Sequence, residues 1–263
     1  MAEALRLLGL GLGLVAFTMT VTWLVATRRR NAGIVDVTWT FNLGLLAVLY
    51  AVLANGALER RVLVGALAGF WALRLGLHLA VRVAGEPEDG RYAALREEWT
   101  RKGLAVDGRF LVFFLFQGLL DVVLSLPYLL ACLSPTRGLG AFELTGAALV
   151  ALALAGEAVA DAQLRRFKAS PSSRGKTCRV GLWSLSRHPN YFFEWLVWVG
   201  FAVIAFPAPW GFLGLVSPLL IYHFLVNVTG IPATEAHAVK SRGDDYREYQ
   251  RTTSAFFPWF PKR

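Results

Sequence analysis

Cysteine is nearly absent. The two present, Cys132 in an apolar segment and Cys178 in a basic loop, are too few and too differently placed for a disulfide framework or a metal cage, and they read as free thiols. No H-E-x-x-H pattern and no Ser, His and Asp spacing of a hydrolase occurs, so a metal site and nucleophilic hydrolysis have no signature. The run "GLGLGL" at residues 9–14 has the wrong glycine spacing for a dinucleotide-binding turn and follows no strand, which excludes the usual nucleotide fold. Internal repeats and low-complexity tracts are missing as well. Acidic residues are outnumbered, 18 against 27 Lys and Arg. In a soluble protein a net charge of +9 would suggest nucleic acid. The distribution of that charge suggests otherwise.

Apolar side chains are abundant: 56% of the 263 residues are hydrophobic, with 9 Trp and 18 Phe. Residues 7–26 carry no charge, and about 20 such residues suffice for a helix to cross the hydrocarbon core. Its basic cluster, Arg28 to Arg30, follows the apolar run and no small-residue cleavage pattern stands out, so the segment reads as a span and not as a secretory signal. Apolar runs set against breakers predict an all-α, polytopic single domain over 1–263, with seven helices near 5–27, 34–55, 62–83, 110–134, 142–163, 191–206 and 210–231. The last two share an uncharged stretch that Pro207-Ala208-Pro209-Trp210 divides.

Basic residues alternate with this count. Segments 28–33, 84–109, 164–190 and the tail from Lys240 hold 21 of them, whereas the opposite connections hold only Arg6, Arg60, Arg61 and Arg137. By the positive-inside rule the N-terminus lies outside and the C-terminus in the cytoplasm. The long loops share the cytoplasmic side, and residues 92–102 read as a short surface helix.

Ionisable residues within spans are costly and mark function. Arg74, His78 and Arg82 recur at four-residue spacing, as do Glu157, Asp161 and Arg165, with Lys168 beyond; Asn190 and Glu194 repeat the pattern. Lipid anchoring by Arg82, Arg165 and Lys168, an ion pair of Asp161 with Arg165, and simple packing of His78 or His223 are the plainer readings. Asp121 and Glu143 read as structural or outward-facing. Asp36 has no neighbouring Lys or Arg in sequence. Most of these groups converge on the cytoplasmic end, where a cation-rich hollow would suit a ligand bearing several phosphates.

Four stretches, "GLWSLSRHPNYFFEWLVWVG" (181–200), "NAGIVDVTWTFN" (31–42), "VTGIPATEAH" (228–237) and "DYREYQRTTSAFFPWFP" (245–261), resemble the bacterial branch of the steroid 5-alpha-reductase family, within the superfamily of sterol reductases and isoprenylcysteine methyltransferases. The resemblance implies a seven-helix membrane reductase with a cytoplasmic cofactor pocket. It would take hydride from NADPH and reduce the carbon-carbon double bond of a 3-oxo-4-ene steroid or similar lipid enone. Carried over by position, Asp161, Lys168, Asn190 and Glu194 match cofactor-holding residues, Arg187 and His188 form this branch's version of the same motif, and Glu235, His237 and Tyr246 fall at further cofactor contacts. Arg74, Arg165, Arg179 and Tyr191 complete the expected cofactor set. Asp36 matches a glutamate that polarises the substrate carbonyl, and a carboxyl kept protonated among apolar neighbours can donate to that oxygen. The animal enzymes pair the glutamate with a tyrosine, and Trp71 stands at that position here, leaving His78, Tyr222 and Tyr191 as substitute proton donors. The expected partners are a lipophilic substrate and membrane lipids, with no nucleic acid and a monomeric chain. Two other readings are an S-adenosylmethionine-dependent methyltransferase of a prenylated or phospholipid substrate, and a non-catalytic transporter or sterol-binding protein.

Overall fold

The computed structural model describes residues 1–262, and among these the only regular structure is helical. The helices are α1 (Ala2–Arg29), α2 (Ile34–Leu53), α3 (Leu58–Gly85), α4 (Gly90–Arg101), α5 (Val106–Leu124), α6 (Leu126–Leu133), α7 (Ala141–Ala169), α8 (Pro189–Ala205), α9 (Val216–His223), α10 (Ile231–Arg242) and α11 (Asp244–Thr252). Six helical stretches are long and apolar enough to cross a bilayer: α1, α2, α3, α5 with α6, α7, and the path Gly211–Arg242. The chain is an integral membrane protein. The apolar helix α8, 17 residues long, stands where a further span was expected, and it falls short of the length of the other six.

Three boundaries differ from the sequence reading for identifiable reasons. The fourth hydrophobic segment is broken at Ser125, because Pro127 has no N–H for the ladder and Ser125 turns its hydroxyl onto the Val122 carbonyl. The final helical path runs beyond residue 231 to Arg242, through a π-helical segment, Phe224–Val228, and a break before Ile231. The surface helix α4 starts at an Asp89 cap whose carboxylate accepts from the Arg91 backbone N–H.

The chain divides into two compact units, one of residues 1–140 and 205–213, the other of residues 141–204 and 214–263. In the first, α2 packs on α1, α3, α5 and α6. Leu43, Leu46, Tyr50 and Trp71 are fully buried there. Helix α4 leans on this bundle through Tyr92 and Trp99, whose rings meet Phe113 at 6.2 Å and Phe110 at 4.9 Å. In the second, α7 and α8 cross closely at two glycines: a Cβ on Gly146 would stand 2.6 Å from the Gly200 carbonyl oxygen. Small residues at such a crossing bring two backbones into van der Waals contact, which is the attraction available where lipid removes the hydrophobic drive.

Candidate functional site

In the first unit the expected residues gather at the ends of α2 and α3. Asp36 in the first turn of α2 and Arg82 near the end of α3 line a cleft of about 100 Å³ together with Asn31, Gly33, Glu86 and Asp89. Asp36 is not left without a cation. Arg91, 55 residues on, sets its Nη2 2.9 Å from Oδ2, and the Tyr92 hydroxyl donates to Oδ1 at 2.6 Å. The carboxyl thus has two side-chain partners that its apolar sequence neighbours did not reveal. The O–H donor at this point is Tyr92. Burial and the nearby Asp36 charge push its phenol well above the usual tyrosine range, so the hydroxyl keeps its proton at neutral pH.

The chain holds Tyr92 there by fastening the loop that precedes α4. Glu88 accepts from the Ala32 backbone N–H at 2.7 Å and from two nitrogens of Arg96 at 2.8 and 3.1 Å. Burial raises the Glu88 carboxyl, but the Arg96 and Ala32 hydrogen bonds outweigh it and hold the group below the ordinary carboxylate range. A depressed folded value contributes stability that is present above the unfolded value, about pH 4.3, and is lost as pH falls through the folded one. Amide protection factors along α4, measured against the intrinsic exchange rate at each pH, should therefore fall on acidification below about pH 4, and Glu88→Gln should weaken that pH dependence.

Elsewhere in this unit, Arg74 and His78 follow the face of α3 that ends at Arg82. His78 is exposed, and Arg82 approaches Asp89 at 4.0 Å. Trp71, at the position expected for the family tyrosine, is fully buried.

In the second unit the helix ends also collect polar groups. The Ala160 carbonyl accepts from the Trp183 indole, and the Gln163 side chain accepts from the Leu182 N–H. These bonds set Asp161 level with the loop leading into α8, the end that bears Asn190. Glu194, one turn further, accepts from the Trp198 indole at 3.1 Å. The Tyr191 hydroxyl lies 3.1 Å from that of Thr234, and its ring stacks on His188 at 5.3 Å. Tyr222 is surrounded by rings, with Trp195, Phe256 and Phe257 at 5.3 to 6.2 Å.

Three residues expected at the cofactor form instead a knot around one carboxylate. Arg187 Nε donates to Glu235 Oε1 at 2.6 Å, His188 Nε2 lies 3.1 Å from the same oxygen, and Gln250 donates to Oε2 at 2.6 Å. Arg187 Nη1 meanwhile reaches the carbonyls of Gln250 and Thr253 at 3.0 and 2.6 Å. This guanidinium fastens the tail, which leaves it little capacity for a phosphate. Arg179 is similarly engaged, with Asp245 at 3.1 Å. Tyr246 is buried on α11 beside Tyr249, whereas His237 is exposed on α10.

Arg165, Arg166, Lys168, Arg174 and Lys176, all in the second unit, are among the cations that form no ion pair among the described residues, and all five are exposed along the end of α7 and its following loop. Five unneutralised charges within twelve residues fit a polyphosphate, and they are the residues that could hold a phosphorylated cofactor. Sequence reasoning missed Arg91, Tyr92, Glu88 and Gln250. The one available signal was the mixed-charge density of segment 84–109.

No curated protein and no solved structure matches the chain. A family profile described as "Protein of unknown function (DUF1295)" matches residues 22–253, most of its length. The chain therefore belongs to the DUF1295 family of membrane proteins.

Proposed function

We propose that the protein is an NADPH-dependent reductase that saturates the carbon-carbon double bond of a 3-oxo-4-ene steroid or similar lipid enone. The observation that carries this reading is the Tyr92 hydroxyl held 2.6 Å from the Asp36 carboxylate, with Asp36 on the wall of a cleft at the ends of apolar helices. The family is related to the steroid 5-alpha-reductases, and the resemblance of the four sequence stretches supports the same chemistry.

When bound, NADPH supplies a hydride, with its electron pair, to the β carbon of the enone. As the double bond gives way, negative charge grows on the ketone oxygen. A hydroxyl turned from Asp36 to that oxygen stabilises the charge, and a proton taken from water onto the α carbon completes the reduction. Asp36 orients the hydroxyl, and Arg91 keeps the carboxylate compensated while the hydroxyl is engaged. Arg165 and Lys168, one turn apart on α7, are suited to the cofactor phosphates. The basic segments face the cytoplasm, where NADPH is available, in keeping with the positive-inside rule.

Purified full-length protein given such a steroid should oxidise NADPH and yield a product heavier by two hydrogens. Methyl transfer from S-adenosylmethionine with NADPH untouched would overturn the reading.

A further inference from the structure

The tail beyond α11 is fastened by its backbone and bare in its side chains. The Thr253 and Ser254 carbonyls accept from Arg187, and the Phe256 carbonyl accepts from the Ser186 hydroxyl. The Trp259 and Lys262 N–H groups donate to the carbonyls of Leu185 and Thr252 at 2.9 and 2.8 Å. Pro258 and Pro261 restrict the backbone on either side of Trp259 and Phe260. Those two side chains are nevertheless 70% and 79% exposed, more than any other Trp or Phe among the described residues, and their rings meet edge to face at 6.5 Å. On a segment held this firmly, the pair is a preformed apolar surface, and such surfaces mark contacts with proteins or membranes.

The surroundings decide between the two. Leu182 and Trp183, just before Leu185, bond to Gln163 and Ala160 of α7, where the apolar run of that span gives way to Arg165, Arg166 and Lys168. Phe256 and Phe257 lie 5.7–6.1 Å from the rings of Phe192 and Trp195, in the first two turns of the apolar helix α8. From there the tail runs outward past the start of α8 to Leu185, which brings Trp259 and Phe260 to the polar end of a span. At that depth tryptophan is enriched in membrane proteins, because its body suits the acyl chains while its N–H stays wet. Lys262, exposed and two residues beyond Phe260, carries the charge that lipid phosphates attract.

We propose that Trp259 and Phe260 form an interfacial anchor, inserting into the lipid at the headgroup boundary on the side where α8 begins. The partner of this surface is the bilayer itself. Its segment also carries the carbonyl that Arg187 Nη1 engages, so the anchor ties the knot around Glu235 to the lipid surface. The inference holds whatever reaction the protein catalyses.

Spin labelling of the full-length protein in nanodiscs of phosphatidylcholine and phosphatidylglycerol tests it. Trp259→Cys and Phe260→Cys are labelled separately with a nitroxide. Cys132 and Cys178 are buried, and the unsubstituted protein measures any label they take up. Both replaced side chains are exposed, so neither change removes core packing. At each position oxygen should relax the nitroxide several-fold more effectively than a water-soluble nickel chelate. A label at Ser172→Cys, in the exposed segment after α7, should show the reverse order. Chelate access that matches or exceeds oxygen access at either tail position would place that ring in water, bare or kept for a soluble protein, and would overturn the proposal.

Discussion

Glu235→Ala is expected to destabilise the second unit by about 3–5 kcal/mol, because it strands a nearly buried guanidinium without its counter-charge. The Arg187 and Glu235 side chains are only 11% and 13% exposed, so water cannot substitute for the lost carboxylate. The same change removes the acceptor of the Gln250 side chain and the partner of His188. Because Arg187 also carries two carbonyls of the tail, release should be local at first. Amides of α11 should exchange faster and trypsin should cut after Arg251 well before the apolar helices unfold. Glu235→Gln, which keeps an acceptor but not the charge, should fall between the two. An alanine variant as stable as its parent, with a protected tail, would show that the knot does not fasten this segment.

The second large effect is expected at Tyr92. Tyr92→Phe should lower kcat for enone reduction by about 10²–10³-fold, the usual cost of losing one donor to a developing oxyanion. NADPH affinity should stay unchanged, since the cations proposed for the phosphates are on other elements. Phenylalanine keeps the ring that packs on Phe113, so the fold should be preserved. Asp36→Asn should reduce turnover by a similar order, because a neutral amide orients the hydroxyl poorly, while Arg91 keeps its pairing with Asp89 at 3.0 Å. Steady-state kinetics with both substrates varied separates these outcomes from a binding defect. Wild-type turnover in both variants would remove the pair from the mechanism.

Those predictions rest on partners far apart in the chain, and this is where sequence reasoning stopped. Asp36 stood out as an acid without a local cation. The fold supplies Arg91 and Tyr92 from a surface helix more than fifty residues on. Arg187 and His188 stood out as members of a polar motif, and nothing local indicated that Glu235, 48 residues from Arg187, would absorb them into a structural knot. Asp121 read as structural or outward-facing, and it lies buried against Asn42, 79 residues away. The mixed charges of segment 84–109 suggested a surface helix, and α4 covers Gly90–Arg101. Its acid and base residues are what aim Tyr92.

By itself the sequence determined that this is an all-helical membrane chain with ionisable residues crowded near helix ends. Each of these is local: an apolar run of sufficient length must span or pack, and a proline without an N–H must interrupt. The extension of the last helical path to Arg242 through irregular backbone depended on tertiary surroundings that tolerate it. Which cations are spent on the fold and which remain for a ligand was decided only by the tertiary structure. A charge's role is set by the groups within a few ångströms of it, and chain folding brings those from any distance in sequence.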